Sequence, residues 1–331
     1  MNSDKNVLKA GAIVIACAAL LRLISYGLPD AASEILSSPS IAKAMLFLSS
    51  GRVLVHRPED ITTATEPLAT PAVTEPPPTE SAKPSFTAKD GDLAKISGNY
   101  RDKADKASLL TKPLAWDLTV DAPTVLILHT HGSESYENTE GYKPSSEYRT
   151  LDENYNMLSI GDLVAERLEE AGITVLHDRQ LHDYPSYNGS YVNARASIQK
   201  YLEEYPSILL VLDLHRDAAE DASGKQIAYT AESKYGKTAK LMMVMGMDTA
   251  ARPHKNWQEN LSLALKLQVL LEKACPGVTR PISLWASRLN QDLCSGAVLV
   301  EVGAAGNTRQ EALNAAELLS DAIISLAHGC G

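Results

Sequence analysis

Two hydrophobic patterns alternate along the carboxyl-terminal two-thirds of the chain. Apolar runs at 125–128, 208–212 and 297–300 lack the polar alternation of a half-exposed strand and read as strands buried on both faces. Between them, apolar residues recur at helical spacing. Met157, Ile160, Val164 and Leu168 predict a helix over 152–171, closed by Gly172, and a second helix is predicted over 192–204. Leu263, Leu267, Leu270 and Ala274 mark a helix over 261–274, and Ala312, Ala316, Leu319, Ile323 and Leu326 mark the last one. That last helix opens at Thr308 with Glu311 three residues on, a capping-box pattern. Further strands are predicted at 173–176, 226–231 and 239–246, with an edge strand at 114–120. The alternation predicts one three-layer α/β domain over 114–331, with a mostly parallel or mixed central sheet flanked by helices.

Upstream the pattern changes twice. Residues 11–28, GAIVIACAALLRLISYGL, are mostly apolar and near the length needed to span hydrocarbon. Lys5 and Lys9 precede them and orient the amino terminus toward the cytoplasm, while Arg22 is placed to snorkel toward the far interface. We read 1–28 as a cytoplasmic tip and an uncleaved anchor, since no small-x-small cleavage site precedes Pro29; a cleaved signal peptide and a peripheral helix are the alternatives. A juxtamembrane segment (29–55) follows, and then a Pro/Thr/Glu-rich linker with a transitional stretch (56–113), whose composition predicts a semi-extended, disordered spacer. This order puts the folded domain outside the cytoplasm.

A formal charge of −10 over 331 residues and a pI near 5.3 argue against nucleic-acid binding, which needs a basic face for phosphates. Cys17, Cys275, Cys294 and Cys330 show no C-x-x-C spacing, so they form neither a zinc knuckle nor a redox pair. For Cys275 and Cys294, a disulfide and two reduced thiols are both open. The sequence contains no P-loop, no G-x-G-x-x-G and no H-E-x-x-H.

The chemistry collects where the apolar runs stop. The first ends in HTHGSES, with His129, His131 and Glu134; the second in DLHRD, with His215 and Arg216; the third in EVG, with Glu301. In open α/β sheets ligands bind beyond the carboxyl ends of the strands, and imidazole beside carboxylate suits zinc with one position left open. A single histidine after a strand is ordinarily structural, but three strand ends of this kind point to a site. His129, two residues from His131, shares its face if the strand continues, as a ligand, an orienting partner or an acid. Arg216 either binds a substrate carboxylate or pairs with Asp217.

Through HTHGSESY, DLHRDA and VLVEVGAAGNT, in that order, the chain from about Ala122 onward resembles the stage II sporulation protein P family of endospore-forming bacteria. That family is in turn similar to the zinc-dependent N-acetylmuramoyl-L-alanine amidases. The resemblance implies a Zn2+ site made by His131, His215 and a carboxylate, with Glu301 as the catalytic glutamate. Counting back from EEAG puts Glu153 at the carboxylate position, with Glu134 as the rival. It implies a peptidoglycan substrate, cut at the amide between N-acetylmuramic acid and L-alanine and also at peptide cross-links, during forespore engulfment. It further implies stage II sporulation proteins D and M as partners, and a place in the mother-cell membrane facing the intermembrane space. A catalytically silent wall-binding protein, and a zinc deacetylase or phosphoesterase using the same ligands, are the competing readings.

Overall fold

The computed structural model describes residues 83–328 apart from 101–102, 115, 138–141 and 146. The expected anchor, the juxtamembrane segment and most of the linker lie outside the described residues, among which no helix is long and apolar enough to cross a membrane.

In chain order the strands are β1 (Ile96–Ser97), β2 (Val125–Leu128), β3 (Val175–His177), β4 (Leu210–Asp217), β5 (Thr230–Ser233), β6 (Gly236–Ala239), β7 (Leu241–Gly246), β8 (Ile282–Trp285) and β9 (Ala297–Ala304). The helices are α1 (Lys106–Thr111), α2 (Met157–Glu170), α3 (Ser190–Glu204), α4 (Trp257–Ala274) and α5 (Arg309–His328). Seven strands form one sheet in the order β1-β8-β7-β9-β4-β2-β3, and β5 and β6 make a separate hairpin. Within the large sheet only the β7–β9 pair is antiparallel. The sheet is therefore mixed, and β2, β4 and β9 run side by side with their carboxyl ends on one edge.

Period-two alternation sorts the side chains of β2 into two layers. Val125 and Ile127 join the main apolar cluster with Ile160 and Val164 of α2 and with residues of α4 and α5; Leu126 and Leu128 pack with Ala194 and Ile198 of α3. The sheet is thus covered on both faces, which is why its central strands carry no polar alternation. At α5 the capping box forms as predicted: Glu311 N–H donates to Thr308 Oγ1 (3.2 Å) and Thr308 N–H to Glu311 Oε2 (3.1 Å). Gly161 lets α2 approach the sheet closely, since a Cβ there would lie 2.6 Å from both His129 Nε2 and His177 Nε2.

Several boundaries differ from the sequence reading. The folded part reaches back before Leu114, because Ala94, Leu109 and Leu110 are buried in the main cluster and β1 pairs with β8; these apolar positions are too sparse to show a period. Among the described residues of 114–120 no strand forms, and Asp117 instead accepts the Thr119 N–H in a turn. The expected strand at 239–246 is split, with β6 ending at Ala239 and β7 starting at Leu241, because the chain folds back through the β5–β6 hairpin. The helix expected from 152 starts at Met157, where the Asn156 side chain accepts the Leu158 N–H at 3.0 Å. Asp152 meanwhile accepts the Asn154 N–H at 3.0 Å, making a turn of what was expected to be the first helical turn. Cys275 and Cys294 are free thiols.

Candidate active site

The strand registers determine which side chains meet. In β4 and β9, His215 lies opposite Glu301, so the two side chains leave the same face of the sheet as neighbours. Asp213, two residues before His215, shares that face. A register shift after His215, where two steps along β4 face three along β9, marks a bulge in β9, a device often found beside active sites. After β2 the chain turns and returns Glu134 toward β4. Its Oε2 lies 3.5 Å from His215 Nδ1 and accepts the Arg216 backbone N–H at 3.2 Å. On the other side of the ring, His215 Nε2 is 2.9 Å from Asp213 Oδ1. His131 meets His215 edge to face, with ring centroids 5.1 Å apart. Tyr187 stacks on His131 at 4.3 Å, and Tyr191 meets it edge-on at 5.6 Å.

Burial and charge set the protonation states. Burial alone would lower His215, but Asp213 and Glu134 outweigh it and hold the ring protonated well above the usual histidine range. Burial, reinforced by the His215 charge, pushes His131 down to about 4, leaving a neutral imidazole whose Nδ1 has no hydrogen-bond partner among the described residues. Against burial, Arg216 and then His215 hold Glu134 at about 2. Against burial too, His215 and Thr130 hold Asp213 at about 2, Thr130 donating its N–H (2.8 Å) and its hydroxyl (2.6 Å). Glu301 goes the other way: burial, aided by Glu134 and Asp217, raises it to about 8, and its Oε2 has no partner among the described residues. The centre thus holds a carboxyl able to exchange a proton near neutrality beside two carboxylates that cannot.

The expected residues do not all gather. His131, His215, Glu134 and Glu301 share the centre. Glu153 does not: it lies outside α2 in the preceding turn, 56% of its side chain is exposed, and it pairs with Arg179 at 2.5 Å. His129 turns away from His131, with Nδ1 bonded to the Leu214 carbonyl oxygen (3.0 Å) and Nε2 facing His177 Nε2 (2.8 Å). Arg216 does not pair with Asp217, which is taken by Arg280 at 2.6 Å. It is buried instead, donating to the carbonyl oxygens of Ser135, Glu147 and Tyr148 and lying 3.6 Å from Glu134, so its role here is to hold the Glu134 turn. Asp213 and Tyr187 enter the site unforeseen. For Asp213 the signal lay in the i, i+2 spacing to His215; for Tyr187 no local pattern carried it.

Fitness for a metal rests on the donors themselves. Among the described residues no three such side chains stand in a coordination cage. Two imidazoles, each with a buried nitrogen that has no hydrogen-bond partner among the described residues, and the Glu134 carboxylate are nevertheless a donor set that suits zinc.

Fold and side chains together define a mixed α/β domain with a buried imidazole–carboxylate centre at the ends of its central strands. The chain belongs to the stage II sporulation protein P (SpoIIP) family, whose model matches residues 53–324. It is 28% identical over 263 residues to stage II sporulation protein P of Bacillus subtilis (strain 168), covering 74% of this chain and 61% of that one. The chain therefore spans about three-fifths of the length of that relative. Among solved structures it is similar to the N-acetylmuramoyl-L-alanine amidase AmiC2 of Nostoc punctiforme, with TM-score 0.39 and 12% identity, covering 61% of this chain and 96% of that one. It is likewise similar to an N-acetylmuramoyl-L-alanine amidase from Clostridium difficile 630, with TM-score 0.37 and 16% identity, covering 64% and 100%.

Proposed function

We propose that this chain is a zinc-dependent peptidoglycan hydrolase of sporulation. It cleaves the amide between N-acetylmuramic acid and the stem-peptide L-alanine and, as a second activity, peptide cross-links. The observation that carries this reading is the meeting of His131, His215, Glu134 and Glu301 at one sheet edge, in a chain of the SpoIIP family. His131, His215 and Glu134 are the residues that would hold the metal. When bound, zinc supplies Lewis acidity and lowers the pKa of water to about 7. Glu301 takes the proton of the attacking water and delivers it to the departing nitrogen, a role suited to a carboxyl raised to about 8. Asp213, 2.9 Å from the far nitrogen of His215, favours its charged form and biases the ring toward Glu134 with Nδ1. Tyr187, stacked over His131, shields the imidazole from water. Tyr191 remains a neutral donor at the rim, its hydroxyl pushed up by burial and by Asp213, Glu301 and Glu134.

In the same reading the domain works outside the cytoplasm, tethered by residues 1–28, with stage II sporulation proteins D and M as partners. The test is digestion of purified sacculi by the full chain, with metal content measured beside product analysis. Free stem peptides beginning in alanine support the amidase; cut cross-links support the second activity. Release of acetate or phosphate, or binding without cleavage, would reassign the site.

A further inference from the structure

Tyr187 has a charged neighbour, Arg149, besides the His131 ring. The Arg149 guanidinium lies 4.2 Å from the Tyr187 ring centroid, while the other stacking contact of that ring is to His131 at 4.3 Å. Both ends of this stack are pinned. The Arg149 backbone bridges Glu134, and Ser145 Oγ accepts its N–H at 3.0 Å. Tyr187 belongs to the loop that carries Asp183, which accepts the Ser133 N–H (3.2 Å) and hydroxyl (2.6 Å). Arg149 is thus a cation held at a set distance from the catalytic imidazole.

The guanidinium is also under-used. Only Nη1 has a carboxylate partner among the described residues, Asp183 at 3.4 Å, longer than an ordinary charged hydrogen bond. That oxygen of Asp183 is already engaged by Ser133 Oγ. The Arg149 side chain keeps 24% of its surface open, whereas Arg216 is buried and spent on Glu134 and three carbonyl oxygens. Three carboxylates, Glu134, Asp183 and Asp213, are buried at the centre, two of them already matched by His215 and Arg216, and the chain as a whole carries −10. An anionic substrate arm gains nothing from such a field, so its capture falls to a local cation whose planar fork matches a carboxylate.

We propose that Arg149 binds a carboxylate on the peptide arm of the substrate, about two residues beyond the amide that is cut. This rests on the hydrolase reading above. The two stacking distances put the guanidinium no more than about 8.5 Å from the His131 ring, a span matched by roughly two residues of extended peptide at ~3.3–3.6 Å each. Arg149 would act as a specificity determinant, since it touches neither the scissile bond nor the proposed metal ligands' donor atoms.

The experiment uses the full chain and two synthetic substrates. Both are N-acetylmuramoyl-L-alanyl-D-glutamate joined through the γ-carboxyl, which is capped as a methylamide; one keeps the α-carboxylate and the other carries a carboxamide there. Wild type should favour the carboxylate by ~10-fold or more in kcat/KM, the size of one charged hydrogen-bonded contact. Arg149→Gln should erase that preference, mostly through KM, and leave the carboxamide substrate within ~2-fold of wild type. Arg149→Lys should keep part of it. Equal losses on both substrates with the preference intact would overturn the proposal and leave Arg149 as a support for Tyr187. Calorimetric binding of the two compounds separates this idea from the hydrolase reading. A carboxylate preference in binding without turnover keeps Arg149 and sinks the hydrolase, whereas turnover without preference does the reverse.

Discussion

His215 Nε2 stands 2.9 Å from Asp213 Oδ1, two residues earlier on the same strand. Because side chains at i and i+2 of β4 leave one face, the contact is built into the strand and needs no loop to form. It leaves Nδ1 as the nitrogen turned toward Glu134. Asp213 is also the strongest influence opposing burial at His215. Asp213→Asn should therefore lower the His215 pKa, seen by histidine NMR on the metal-free protein. It should weaken zinc affinity by ~10–100-fold in a chelator competition, the usual effect of losing a carboxylate behind a metal-bound histidine.

Glu301→Gln should retain zinc and lower kcat on muropeptides by at least ~10²-fold, the low end of a general acid–base contribution. Its pH signature is separate. With the folded pKa raised to about 8 from 4.5, the folded state binds more protons than the unfolded one in between. This carboxyl therefore makes the metal-free protein less stable as pH rises from about 4.5 to 8. Melts of the metal-free wild type should show that decline, and melts of the Gln variant should lack it.

Glu134 and Glu153 make opposite predictions. Glu134→Gln should lose both zinc and activity. It should also lose stability by ~3–5 kcal/mol, because it leaves the Arg216 charge buried without its partner. Glu153→Gln removes only an exposed pair with Arg179, so stability should change by less than ~1 kcal/mol and zinc content not at all. Metal analysis and denaturant melts on the two variants decide between them.

A buried cation far from this centre sets a further pH dependence. Lys266 donates to the Leu109 carbonyl oxygen (3.0 Å) and to Ser262 Oγ (2.7 Å), and burial lowers it to about 8. Between about 8 and 10.5 the unfolded chain holds a proton that the folded one has lost, so stability should rise with pH across that window. Lys266→Met should abolish the rise. It should also stabilise the protein at pH 7 by up to about 3 kcal/mol, read from denaturant midpoints.

The division between local and long-range information follows particular residues. The runs at 125–128 and 297–300 and the Thr308–Glu311 cap were legible because burial on both faces and a cap each write their requirement into adjacent positions. That chemistry-bearing residues follow these apolar runs was legible too, although the strands run on through His215 to Asp217 and through Glu301 to Ala304 instead of stopping before them. Short windows of residues thus specify a layered α/β domain with imidazoles and a carboxylate along one sheet edge. Which glutamate faces His215 depends on how the folded chain brings distant segments together. Glu134 and Glu153 both follow His131 closely, and the choice rests on an Arg216 backbone N–H that reaches Glu134 across 82 positions. Folding likewise decides that Arg216 is internal and that Tyr187 covers His131, since a stack between separate loops leaves no periodic trace in either. Contacts of that kind depend on sheet register and loop return, which no short window of sequence encodes.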